Sequence, residues 1–204
     1  MTDMKKLYHG SSAEPFDRFS LNHALEGAGI KYGYGVYLTE MYTRAAHYAF
    51  NRHHPENRDY YVYTVEIPER TTDNCLSQMK RVPVAASIIR RTEEVLGVPV
   101  PAEATVEGIP FRKWLAYTLT GADLPVKKMI DKATVAGEKA ASAFLKSIGV
   151  DFIEWPVVWT KPEAAKDVAV LDDRNVRIVR IEKVELDPRD HQLIEGSQQI
   201  IKEF

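Results

Sequence analysis

The 204-residue sequence contains one cysteine, Cys75. A single thiol excludes an internal disulfide and a zinc site built from several cysteines, and it fits a reducing compartment. A long apolar run is missing as well. No stretch approaches the roughly 20 apolar residues that span a bilayer, so no membrane partner is expected. Residues 1–7 are polar and basic with no apolar core, and no signal peptide is expected. The expected location is the cytoplasm, or another cell reached by a route that no signal peptide encodes. Neither acidic nor basic residues are in large excess, with 27 Lys and Arg against 29 Asp and Glu. The formal net charge is −2, which gives no general grip on nucleic acid. No internal repeat, low-complexity tract or linker divides the chain.

What is present is ordinary globular composition, 45% hydrophobic and 27% charged. That places the chain among folded domains, at a length suited to one sizeable domain and marginal for two. Leu7 and Tyr8 predict a first strand that a His9-Gly10-Ser11 turn ends. Residues 13–31 read as loop, with Phe16 and Phe19 as anchors to the core. Residues 33–48 then read as a glycine-flanked loop, a short strand and a helix that runs to about Phe50. Gly33 and Gly35 allow a close backbone approach or positive φ. Thr39 or Thr43 suits the helix N-cap. Tyr37, Tyr42 and Tyr48 crowd this stretch. His53-His54 has no carboxylate or cysteine at ligand spacing and reads as a solvated loop.

Tyr60–Ile67 is the clearest strand, stopped by Pro68. Thr71–Pro83 reads as irregular. Val84–Leu96, Phe111–Leu119 and Ala136–Ile148 carry apolar residues at helical spacing, with Gly97 and Gly149 as stops. Val98–Gly108 reads as loop. Val150–Trp159 reads as strand broken by Pro156, Asp167–Leu171 as a short strand, and Val176–Val184 as a half-exposed strand. Arg189–Phe204 holds Leu193, Ile194, Ile200 and Ile201 and reads as a terminal helix. The expected fold class is α+β. Residues 1–186 would form one domain of mostly antiparallel, split β-sheets with helices inserted mid-chain, and 187–204 a C-terminal extension.

Several of these pieces occur in a telling order. His9-Gly10-Ser11 precedes Gly33-x-Gly35-Val36-Tyr37, with Tyr48 in the following helix. Val65-Glu66-Ile67-Pro68, Gly149-Val150-Asp151-Phe152-Ile153 and Asp167-Val168-Ala169-Val170-Leu171-Asp172 come next. The order resembles the ADP-ribosyltransferase superfamily, in the branch with a His-Tyr-acidic triad shared by diphtheria-like toxins and poly(ADP-ribose) polymerases. It is most similar to bacterial and phage-associated members, including the ADP-ribosyltransferase domains of polyvalent proteins. The match covers about residues 6–183.

The resemblance implies NAD as substrate and no metal. It implies that His9 hydrogen-bonds a ribose of NAD, that Gly10 recognises the nicotinamide amide through its backbone, and that Ser11 assists. Tyr37 and Tyr48 would sandwich the nicotinamide ring beside Gly35. Asp167 would be the carboxylate that supports the oxocarbenium-like transition state. Many relatives carry glutamate there, and a shifted register makes Glu163 or Glu154 the acid instead. Ala45 stands where some relatives have a serine. The implied activity is mono-ADP-ribosyl transfer to a macromolecular acceptor, expected to be protein rather than nucleic acid. The alternatives are NAD glycohydrolysis and a non-catalytic NAD- or partner-binding module. Residues 13–31 and 98–110 are the candidate acceptor loops.

Overall fold

The computed structural model describes residues 4–23, 30–50, 59–121, 123–124 and 132–204. In chain order its elements are β1 (Met4–Ser11), β2 (Val36–Thr39), α1 (Tyr42–Ala49), β3 (Tyr60–Pro68), β4 (Cys75–Ser77), α2 (Ala86–Leu96), α3 (Ala102–Thr105), α4 (Gly108–Thr120), α5 (Lys132–Ser147), β5 (Phe152–Pro156), β6 (Lys166–Val170), β7 (Arg177–Val184) and β8 (Gln199–Glu203). The class is mixed α+β with mostly antiparallel strands, as expected. Among the described residues no helix is long and apolar enough to cross a membrane. The His53-His54 pair lies outside the described residues. The chain packs as two compact units. The first is Met1–Phe19, Tyr37–Glu69 and Arg174–Phe204, and the second is Ser20–Val36 and Arg70–Asp173.

In the first unit the strand order is β2-β1-β3-β7-β8, each neighbour antiparallel. β3 is valine- and tyrosine-rich and pairs along its length with β1 and β7. Strand alternation sends its residues to two faces. Val62 faces α1, where it packs with Ala45, Ala46, Val184 and Leu186. Tyr63, Val65 and Ile67 point the other way and are fully buried. The small residues of α1 allow the helix to lie close. A Cβ at Gly10 would overlap the Ala45 carbonyl oxygen and come within 2.6 Å of Ala49 N. Glycine at position 10 is therefore required by the approach of α1 to β1. The cap of α1 is not a threonine: the helix begins after Met41, which makes no side-chain cap bond. Thr39 Oγ1 instead accepts the Met41 N–H at 3.3 Å.

In the second unit β4 pairs with β5 in parallel, and β5 with β6 antiparallel. Ile153, Val168, Ala169 and Val170 are fully buried, as are Phe111, Leu115 and Leu145 of the helices. Both positions of the Gly33-x-Gly35 segment require glycine, Gly33 through its backbone conformation and Gly35 through close packing. Gly33 has φ 127°, and a Cβ there would sit 2.5 Å from Ile153 Cδ1. A Cβ at Gly35 would sit 2.6 Å from the Val170 carbonyl oxygen. The expected close approach is real, and the surface approached is the chain's own β5 and β6.

Several expectations need correction. The C-terminal segment is not helical. Gly196 takes φ 79°, Leu193 packs on the α1 core, and residues 199–203 pair with β7. Leu193-Ile194 and Ile200-Ile201, seven residues apart, imitate a helical repeat, while the open edge of β7 recruits an extended strand. Residues 71–83 contain β4, a strand too short for periodicity to register. Residues 98–108 contain α3, and α4 starts at Gly108, so the second candidate acceptor loop is partly helical. Pro156 ends β5 rather than interrupting it. Gly97 caps α2 at φ 68°, as expected.

Candidate functional site

β1 and β2 share one register pair, Tyr8 with Thr39. One residue further along β1, the His9 ring reaches to β2: Nδ1–H donates to the Tyr37 carbonyl at 2.8 Å. The fold thus joins the His9-Gly10-Ser11 motif to the Gly-x-Gly-Val-Tyr motif through one hydrogen bond. With Nδ1 as donor, the neutral ring has Nε2 as its acceptor. The ring also lies edge-on to Phe19, with centroids 5.0 Å apart, and 6.0 Å from Tyr63. Packing against these rings strips water from the imidazole and lowers its pKa below the ordinary histidine value, while the Tyr37 carbonyl acts in the opposite direction.

The neighbouring motif residues have settled environments. Ser11 Oγ accepts the Ala13 N–H at 3.1 Å, which shapes the turn out of β1. Tyr37 is half-buried. Tyr48 is 49% exposed, with the Arg44 guanidinium 4.7 Å from its ring centroid. Tyr42 is a packing residue: its ring meets Tyr8 edge-on at 5.3 Å. Burial, with Glu182 beside it, pushes its phenol well up and keeps it neutral.

Gly35 and the acidic candidates belong to the second unit. Asp167 is 3% exposed on β6, directly opposite Trp155 of β5. Residues paired across an antiparallel ladder share a face, and neighbours along a strand alternate. Glu154 pairs with Val168, so it lies on the opposite face from Asp167. Its two oxygens are engaged by Lys166 Nζ at 2.7 Å and Arg70 Nε at 3.2 Å. That cluster also covers Cys75, whose thiol burial pushes well up, so it is not a thiolate nucleophile. Glu163 is exposed in the loop before β6. Ala45 lies in the α1 core, fully buried against β1.

Two side chains at the His9 site were not singled out for it by the sequence. In the sequence Phe19 marks only an anchor to the core, and Tyr63 only a strand position. The available signal was the alternation of β3, which puts Tyr63 on the His9 face through the register pair His9–Tyr63. Compared with models of known protein families, with curated proteins and with solved structures, the chain matches none.

Proposed function

We propose that the chain is an NAD-dependent mono-ADP-ribosyltransferase on an ADP-ribosyltransferase-like fold. The observation that carries this reading is the hydrogen bond from His9 to the Tyr37 carbonyl. Residues from two motifs of the resemblance, 28 positions apart in sequence, are neighbours, and the imidazole is left neutral with an acceptor nitrogen. A ribose hydroxyl is a fitting donor to that nitrogen. Gly10 and Ser11 follow directly on the same strand, and Tyr37 and Tyr48 supply aromatic faces for the nicotinamide ring.

In the proposed reaction the bond between the ribose C1′ and the nicotinamide nitrogen breaks, and nicotinamide leaves as a neutral molecule. Positive charge builds on the ribose. The acceptor's nucleophile bonds to C1′ and gives up its proton. A fixed carboxylate near the ribose stabilises that charge more in the transition state than in the ground state. Asp167 is the residue assigned to this role by the resemblance. It is favoured over Glu154, which already neutralises two cations, and over Glu163, which stands in an exposed loop.

The test is nicotinamide release from labelled NAD by the purified chain, with and without cell lysate, followed by capture of molecules modified by biotinylated NAD. Asp167→Ala is expected to reduce release by about 10²–10³-fold, the size typical of a lost electrostatic partner. Unchanged turnover in that variant would remove Asp167 from the mechanism. Release without any labelled macromolecule means glycohydrolysis. Calorimetric NAD binding with no release under any condition would leave a binding module.

A further inference from the structure

The turn after β1 does more than link two elements. It brings Phe16 and Phe19 back over the face of the sheet that carries His9. Phe16 stacks on Tyr63 with centroids 4.5 Å apart and planes 18° apart, and its N–H donates to Tyr63 Oη at 3.3 Å. Phe16 and Phe19 meet edge-on at 5.1 Å, and Phe19 meets His9 edge-on at 5.0 Å. Phe19 is 6% exposed. The same turn is tied to the C-terminal strand, where Lys202 Nζ donates to Asp17 Oδ2 at 2.6 Å. The imidazole therefore has an aromatic wall on one side and a carbonyl at Nδ1.

We propose that Phe19, backed by Phe16 and Tyr63, is a positioning residue that holds the His9 imidazole with Nδ1–H on the Tyr37 carbonyl and leaves Nε2 as the acceptor for a bound hydroxyl. The ring edges give the imidazole one orientation, because a rotated ring would lose both the edge-on contact and the carbonyl. Exclusion of water makes the charged form costly, so the ring stays an acceptor at pH values where an exposed histidine is an imidazolium with two donors. The titratable groups on the packed elements do not reverse this. Burial pushes the Tyr63 phenol up to about 12, so it is neutral. Glu14 and Arg18 are exposed in the turn, Asp17 is paired with Lys202, and Tyr61 on β3 is held neutral by burial. The influences on His9 itself are burial and the Tyr37 carbonyl.

The consequence for turnover rests on the NAD reading, whereas the ring geometry does not, and two measurements separate them. The first is nitrogen NMR of histidine-labelled protein without NAD. His9 is expected to show one tautomer, with the proton on Nδ1, and a titration midpoint below that of a free histidine. Phe19→Ala is expected to mix the tautomers and return the midpoint towards about 6.5, whereas Phe19→Leu, which keeps the apolar cover, retains the depressed midpoint. A wild-type His9 with an ordinary midpoint or a proton on Nε2 overturns the proposal, and this result does not depend on any variant folding. So does a Phe19→Ala protein that titrates as wild type.

The second measurement is nicotinamide release. A histidine of ordinary pKa is only about one-quarter neutral near pH 6, so Phe19→Ala is expected to lose about fourfold in kcat/KM there relative to pH 8, mostly through KM. A depressed His9 midpoint in a protein that releases no nicotinamide upholds the positioning role and sinks the NAD reading. Turnover with an ordinary midpoint does the reverse.

Discussion

The two units of the chain handle interior polar groups differently. In the first, the half-buried His9 ring is flanked by Phe19, Tyr63 and a backbone carbonyl, and loss of water on packing lowers its pKa. In the second, the buried carboxylates of Glu138, Glu154 and Asp172 are matched by cations. Glu138 is paired with Arg112, each side chain 4% exposed, and Glu154 is held by Arg70 and Lys166. Asp172 accepts from Lys146 at 2.9 Å. An aromatic wall selects the uncharged form of a titratable group. A cation permits the charged form at the cost of desolvating two ions. The first arrangement suits a hydrogen-bond acceptor that must not titrate, and the second suits structural ion pairs.

The largest expected effect breaks the second arrangement. Arg112→Met leaves Glu138 without its partner and is expected to cost about 3–5 kcal/mol in urea unfolding. Arg112→Met with Glu138→Leu should recover much of that loss. Glu138 already has a raised pKa, mainly from burial and against the pull of Arg112. A carboxyl raised in the folded state binds a proton there before the unfolded chain does, so stability falls as pH rises from its unfolded value through its folded value. The loss in Arg112→Met should therefore be smaller near pH 5 than near pH 8. Equal losses at both pH values would mean that the charge of Glu138 is not what destabilises the variant.

Next in size is the close packing of the first unit. Gly10→Ala drives a methyl group into the backbone of α1 and is expected to cost about 3 kcal/mol, at the upper end for overpacking, with no pH dependence between pH 5 and pH 8. A smaller effect is expected for Gly35→Ala, about 1–3 kcal/mol, because its methyl meets one strand carbonyl. If Gly35→Ala instead proves neutral in unfolding, the glycine there is not set by packing on β6. The smallest effect is expected at the surface. Lys202→Met removes a pair whose side chains are 45% and 61% exposed, and should change stability by less than about 1 kcal/mol. Added salt should mimic this variant and leave the Arg112–Glu138 pair nearly untouched. A salt-insensitive loss of several kcal/mol at Lys202 would show that β8 is a structural support rather than a lightly held edge.

Much of the fold was legible locally. Strand β3 and helices α2, α4 and α5 were readable because burial on one face writes a period of two or 3.6 into the sequence. Elements that owe their form to a neighbour were not. β4 has three residues and is a strand because β5 lies beside it. β8 carries exposed Ile200 and Ile201 and is extended because β7 offers an open edge. At the candidate site, His9, Gly10 and Tyr37 were legible as a motif order. The aromatic wall was not, because Phe16 and Phe19 lie outside regular elements and Tyr63 sits mid-strand.

Local sequence sets which residues are punctuation and which alternate. It marked Gly33, Gly35 and Gly97 as breaks, β3 as a buried strand, and His9 with Tyr37 as a pair worth tracing. What each break serves depends on packing between distant segments. Gly10 and Gly35 are glycines because α1 and β6 come within overlap of any Cβ. Glu154 is an ion-pair residue because Arg70 and Lys166 converge on it. His9 has a lowered pKa because packing against Phe19 and Tyr63 strips water from its ring, and its Nδ1–H is fixed because the Tyr37 carbonyl accepts from it. Periodicity records the average environment of a segment. Protonation state and close approach depend on particular atoms from distant parts of the chain, and no local pattern encodes those.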